Sequence, residues 1–367
     1  MRPAFADRIG VQVHGVTLNL RCSNPDQLAY VRALLGDHVR EPWERPDLEV
    51  AAQWLVRAPE DDLQRPVFDV TGLDAFGKRM HVGEDSLVWT DTHRDPNLQL
   101  RFRRLPSGPA FDVAYQYRPS GKKLAKYPDF ERKKFFDLMR YLVWFPIAWH
   151  LRRTRGWDMI HASAVRDGER GILIAGPGGA GKTTTSIALA ARAGMTLLTE
   201  NLVFCDGERI YPVYEPIRLT DESLELLGDA AGVLRPLDEG GALKKKTMFV
   251  PPADPDSSGV RPALVFLTRF SSEGFARVLP PDVACGLIRA TNQLTLELND
   301  FYWYAAALDL LFPGGNDAAE RVVESLTRSV PCYSLGIDRS AGVGAVVDQV
   351  LACLRRPSRP ALKVNAP

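Results

Sequence analysis

Charge of one sign is not in excess in this chain: 46 lysines and arginines stand against 45 aspartates and glutamates, for a net charge of +1. That balance argues against a nucleic-acid binder driven by overall charge, although local basic patches remain open. Cysteine is sparse and unpatterned. Cys22, Cys205, Cys285, Cys332 and Cys353 are odd in number and include no CxxC pair. Such usage fits reduced thiols in a cytoplasmic protein, not a disulfide framework or a zinc site. The opening MRPAFADRIG lacks the apolar centre of a signal peptide. No uncharged apolar run reaches the length of about 18 residues that a spanning helix needs, so no membrane role is expected. At 367 residues, 45% apolar and 25% charged, the chain has room for two domains and a sizeable core.

One stretch carries chemistry. Gly171–Ala175 is a short aliphatic run that suits a buried strand. Gly176-Pro-Gly-Gly-Ala-Gly-Lys-Thr183 matches the phosphate-loop (Walker A) pattern GxxxxGK[ST]. Helix-forming residues follow from Thr184 to Arg192. Strand, glycine loop and helix together are the context this pattern requires. Glycines let several backbone N–H groups point at one phosphate chain, and the helix adds its positive end. Gly176, Gly178, Gly179, Ala180, Gly181, Lys182, Thr183 and Thr184 are therefore the expected nucleotide-binding residues. Lys182 would reach the β- and γ-phosphates, and the Thr183 hydroxyl would ligate Mg²⁺.

The remaining chain divides around that site. Residues 1–130 read as a separate β-rich module. Ile9–Leu20 is expected as a strand and Gln27–Leu35 as a short helix. Further strands are expected at Leu48–Val56, Val67–Val70, Lys78–Val82, Ser86–Trp89, Leu98–Phe102 and Phe111–Tyr117. No catalytic motif lies there, and the module is expected to shape a substrate cleft or dock a partner. His14, His81 and His93 are isolated in sequence and read as structural or surface residues. Residues 118–134 are basic, read as a solvated face with a phosphate or acidic-peptide contact as the alternative. Phe135–Leu151 is the most apolar stretch, read as a buried helix kinked at Pro146 within a helical linker, 131–156. The catalytic domain is expected over 157–355, and a frayed tail over 356–367.

Trp157–Val165 and Gly171–Ala175, joined by a turn at Asp167-Gly168, form a hairpin feeding the loop. That places His161 one strand from the phosphates. On the residues alone it either touches phosphate or holds a water, or is a hydrogen-bonded structural histidine. A carboxylate at a strand end beside the loop is where Mg²⁺ or an attacking hydroxyl needs one. Glu200 is the candidate and Asp206 the second choice, because the later apolar strand Ala263–Thr268 ends without an acid. Arg218 and Lys245, the latter within a Lys244–Lys246 triplet, are candidate ligands for the substrate or its phosphates. Phe301-Tyr302-Trp303 is expected as an aromatic core face of a largely helical stretch, Pro280–Leu311.

From IHASAVRDGERGILIAGPGGAGKTTTSIALAARAGMTLLTENLVF to YPVYEPIRL, the chain resembles the HPr kinase/phosphorylase-like family. The resemblance is nearest to its divergent branch associated with peptide natural-product pathways, including lasso-peptide tail kinases. It spans roughly Met159–Val250, with a weaker echo to Ile337. It implies an α/β (α+β) fold related to phosphoenolpyruvate carboxykinase, with a mixed or antiparallel sheet holding the phosphate loop. It also implies His161 as the active-site histidine and Glu200 as general base or metal ligand. Homo-oligomers are a further implication. The family's acid pair is Glu200-Asn201 here. Glu extends the carboxylate by one methylene, about 1.5 Å, and Asn201 cannot serve as a base. The expected function is an ATP- and Mg²⁺-dependent kinase acting on a hydroxyl of a peptide, protein or small-molecule alcohol. The alternative is an ATP-binding regulatory subunit that does not transfer phosphate.

Overall fold

The computed structural model describes residues 7–58, 60–62, 65–92, 95–237, 246–251 and 258–355. It is a mixed α/β (α+β) structure in two units. One comprises the described residues up to Thr154 together with Asp300–Asn316. The other comprises Arg155–Asn299 together with the described residues from Asp317 onward.

The first unit is built on a nine-stranded sheet. Its elements are β1 (Asp7–Val13), β2 (Val16–Cys22), α1 (Pro25–Leu35), β3 (Val39–Arg40), β4 (Leu48–Val56), β5 (Asp74–Phe76), β6 (Met80–Val82), β7 (Ser86–Trp89), β8 (Leu98–Leu105), β9 (Gly108–Tyr117), α2 (Gly121–Lys126), α3 (Phe130–Met139) and α4 (Phe145–Arg155). The strand order is β3-β1-β2-β4-β9-β8-β7-β6-β5. β4 runs parallel to both β2 and β9, and the other neighbours are antiparallel.

Three expectations are corrected here. Ile9–Leu20 is a hairpin, not one strand. His14 (φ 49°) and Gly15 (φ 74°) turn the chain between Val13 and Val16. Both turn residues have positive φ, which suits the twist of a two-residue hairpin. Val67–Val70 is a loop. The Val67 N–H donates to Gln99 Oε1 at 2.7 Å instead of joining a strand ladder. Trp303 is half exposed, whereas Phe301 and Tyr304 are buried.

Phe135–Leu151 is buried along most of its length. A π-helical turn, Arg140–Trp144, ends two residues before Pro146, at the second position of α4. Pro146 has no N–H for the Leu142 carbonyl, and widening the preceding turn relieves the clash. Instead of a separate linker, the segment up to Thr154 belongs to the core of the first unit. Phe145 lies 5.4 Å from Tyr304, and Trp149 lies 5.9 Å from Phe111, centroid to centroid. Asp112 is buried on β9 and accepts from both Arg101 and Arg103 of β8.

The second unit contains β10 (Asp158–Asp167), β11 (Arg170–Ala175), α5 (Lys182–Ala193), β12 (Thr196–Thr199), β13 (Leu202–Cys205), β14 (Ile210–Pro212), β15 (Ile217–Thr220), α6 (Asp221–Leu227), β16 (Lys246–Phe249), β17 (Arg261–Phe270), β18 (Phe275–Leu279), α7 (Pro281–Leu294), the start of α8 (Leu296–Leu311), α9 (Val322–Ser329), β19 (Cys332–Ile337) and α10 (Gly342–Leu354). An eight-stranded sheet has the order β14-β13-β10-β11-β17-β19-β18, with β12 also paired to β10. β11, β17 and β19 are parallel, and the flanking strands are antiparallel. β15 and β16 form a separate ribbon.

Alternation along β11 explains the layering. Ile172 and Ile174 join a core with Ile187 of α5 and Val346 and Val350 of α10. Leu173 and Ala175 join a second core with Ile288 of α7 and Leu326 of α9. A strand covered on both faces must be apolar at every position, and the GILIA run is. No disulfide joins the five cysteines, and all five are buried. Among the described residues no helix is long and apolar enough to cross a membrane.

Candidate functional site

The loop between β11 and α5 is shaped by glycine at two tight positions. Gly176 has φ 142°, and a Cβ there would lie 2.6 Å from Thr268 Oγ1 and 2.9 Å from the Thr268 carbonyl oxygen. Gly181 has φ 86°, and a Cβ would lie 2.9 Å from Ile337 Cδ1. Only glycine combines that conformation with that approach. α5 then begins with Gly181 as its cap and no side-chain bond to its first N–H groups. Those donors and the positive end of the helix are left for an anion.

Lys182 is 6% exposed. Its Nζ donates to the carbonyls of Gly176 and Pro177, each at 3.0 Å. The ammonium is thus folded onto the loop it would serve. Burial brings its pKa down to about 8, against the opposing pull of Glu200 and Glu297.

Glu200 reaches the loop through a feature of strand pairing. β12 and β13 pair one after the other with the same strand, β10, and Ala164/Val165 is the irregularity in the register. The chain turns between them at Glu200-Asn201 and carries the Glu200 side chain to the start of α5. The Thr183 hydroxyl donates to Glu200 Oε1, and the Ser163 hydroxyl donates to the Glu200 carbonyl. Burial raises the Glu200 pKa. Arg218, the Thr183 bond and Lys182 act the other way, and Glu215 reinforces the rise.

His161 is 7% exposed. Its Nδ1 lies 2.6 Å from Thr295 Oγ1, and its backbone N–H donates to Asn292 Oδ1 at 3.0 Å. Burial, with Lys182 and Arg218 nearby, brings its pKa down to about 4, although Glu297 and a side-chain hydrogen bond to Asn201 oppose the fall. The imidazole is therefore neutral near pH 7. Asn201 Nδ2 donates to Glu215 Oε2 at 2.8 Å. Arg218 on β15 lies 3.7 Å from Glu297.

A cavity of about 410 Å³ gathers His161, Gly178, Gly179, Gly181, Lys182, Thr183, Thr184, Glu200, Asn201 and Arg218 in its walls. Gly176 and Ala180 are not in the wall: Gly176 packs on β17, and Ala180 is buried. Asp206 is outside it too. It binds the N–H groups of Glu208 and Arg209 and the Tyr211 hydroxyl, which makes it a turn residue. Lys245 lies outside the described residues, while its neighbour Lys246 lines the cavity. Glu215, Thr295 and Glu297 were not among the expected site residues. Glu215 does stand in the same Glu-Pro-Ile-Arg segment as Arg218, which was the available signal. Thr295 and Glu297 come from the α7–α8 junction, which carries no motif.

Among the described residues no group of three or more His, Cys, Asp or Glu side chains could hold a metal ion. The fit to Mg²⁺ is of another kind. Thr183 and Glu200 place a hydroxyl and a carboxylate oxygen side by side, and Mg²⁺ commonly takes one or two protein oxygens plus phosphate oxygens and water. The chain matches no protein-family model and no curated protein.

Proposed function

We propose that the protein is an ATP-dependent kinase that transfers the γ-phosphoryl group to a hydroxyl of a peptide, protein or small-molecule alcohol. The observation that carries this reading is convergence. Lys182 and Thr183 at the start of α5, Glu200 at the β12–β13 turn and Arg218 on β15 face one cavity at an uncapped helix N-terminus. The order of the motifs agrees with the HPr kinase/phosphorylase-like resemblance. The five cysteines, none in a disulfide, agree with a cytoplasmic setting.

In this reading the loop N–H groups and Lys182 hold the phosphates. Thr183 and Glu200 would hold Mg²⁺, which when bound neutralises charge on the phosphoryl oxygens. The acceptor oxygen forms a bond to the γ-phosphorus, and the bond from that phosphorus to the β–γ bridging oxygen breaks. Glu200 takes the hydroxyl proton. Arg218 adds positive charge at the same wall. His161, neutral and tied to Thr295 and Asn201, positions Asn201 and does not supply charge.

The test uses purified protein, Mg²⁺ and γ-labelled ATP with candidate acceptors, and follows label transfer by mass spectrometry. Lys182→Ala is expected to abolish transfer. Glu200→Gln is expected to lower it at least a hundredfold while keeping nucleotide binding in the absence of Mg²⁺. Undiminished transfer by Glu200→Gln removes Glu200 from its role. One observation favours a regulatory ATP-binding subunit: Asn201, which cannot act as a base, is spent on Glu215. Tight ATP binding with no transfer to any acceptor selects that reading.

A further inference from the structure

The phosphate-binding residues account for only part of the cavity. Its wall continues over Phe270, Ile337, Val343 and Leu226, and phosphate chemistry explains none of these side chains. Their place in the fold does. Phe270 ends β17 and Ile337 ends β19, and both strands run parallel to β11. The C-terminal ends of all three strands therefore open at the edge where the phosphate loop begins. Ligands of parallel sheets bind outside those strand ends.

Phe270 is 48% exposed. A Cβ at Gly181 would lie 3.8 Å from Phe270 Cε1, so the ring stands beside the last glycine of the loop. Arg339 holds its guanidinium 5.3 Å above the centroid of that ring. Its Nη2 is in turn anchored on Glu222 at the rim. An exposed aromatic ring, an apolar floor and an anchored planar cation at one end of a phosphate site form a surface for a flat heterocycle.

We propose that this end of the cavity holds the base of the bound nucleoside triphosphate, stacked against Phe270. The inference rests on the phosphate-loop reading above. It adds that recognition extends past the phosphates to the base.

The test compares ATP with inorganic tripolyphosphate by calorimetry on the full chain, for the wild type, Phe270→Ala and Phe270→Trp. Phe270 is half exposed, so neither change empties a core. If the ring stacks on the base, Phe270→Ala weakens ATP about tenfold. Phe270→Trp then keeps the affinity, and tripolyphosphate binds all three proteins alike. Equal ATP affinity for wild type and Phe270→Ala overturns the base site and leaves the phosphate site standing. A parallel loss of ATP and tripolyphosphate in Phe270→Ala also overturns it, because the ring would then be shaping the loop. Wild-type protein that binds neither probe overturns the nucleotide reading itself.

Discussion

At the scale of single residues, the site's ionisation states follow from burial more than from neighbouring charge. His161 is the clearest case. Its pKa in the folded protein is about 4, against 6.5 for an ordinary histidine. Between those values the unfolded chain binds the proton and the folded chain does not, so stability is lost as pH falls through that window. Lys182 and Arg218 oppose protonation, while Glu297 and Asn201 favour it but do not win. Between pH 7 and pH 4.5 this residue is expected to remove about 2–3 kcal/mol of stability. Urea unfolding of wild type and His161→Asn at the two pH values measures it. The variant's loss should be smaller by that amount, and equal losses would show that His161 is not buried as a neutral ring. The motif alone placed Lys182 and Thr183 together, because a strand, a glycine loop and a helix leave little freedom to their order; Glu200 was a candidate from its place at a strand end, and it bonds to Thr183. The Asn201–Glu215 bond was not legible. Its partners are fourteen positions apart, and no local period joins them.

Secondary-structure elements were legible where their pattern had one meaning. Leu48–Val56 and Ser86–Trp89 are strands with the expected bounds, and the hairpin into the phosphate loop lies where Asp167-Gly168 predicts it. The β1–β2 hairpin was hidden because His14-Gly15 is not one of the common hairpin turn pairs and the partial apolar–polar alternation runs on through it as it would in one strand. Ala263–Thr268 was singled out only as the later strand that ends without an acid; as part of β17 it runs directly beside β11 and sets the shape of the loop. Gly176 is where the two meet. Gly176→Ala must place its methyl against Thr268 and hold alanine at φ 142°. Clash and backbone strain together should cost about 2–4 kcal/mol and lower the midpoint of thermal unfolding. By contrast, Gly178→Ala meets nothing within 4 Å and should change stability by less than about 1 kcal/mol. Similar losses for both variants would mean that the loop does not depend on the β17 contact.

At the scale of the whole molecule, the sequence led to a linear division, with one module before about residue 130 and another after 157. The chain instead sends Asp300–Asn316 back to the first unit. No composition shift marks that segment, since Phe301, Tyr304, Leu308 and Leu311 look like any apolar helix face. What places them is three-dimensional. Tyr304 lies 5.1 Å from Phe102 and 5.4 Å from Phe145, and all three side chains are buried. Arg153 also binds the carbonyls of Phe312 and Pro313. A fragment of residues 1–154 would expose the aromatic surface that Phe301 and Tyr304 cover, and each buried aromatic side chain removed costs about 3–5 kcal/mol. For two such side chains that is about 6–10 kcal/mol, comparable with the roughly 5–15 kcal/mol total stability of an ordinary domain. The fragment is therefore expected to lose its near-ultraviolet circular dichroism and to bind a hydrophobic dye, even if secondary structure persists. Appending residues 300–316 through a flexible linker should restore cooperative unfolding. A 1–154 fragment that unfolds cooperatively without the segment would show that the first unit is complete on its own, with the returning helix an addition to its surface.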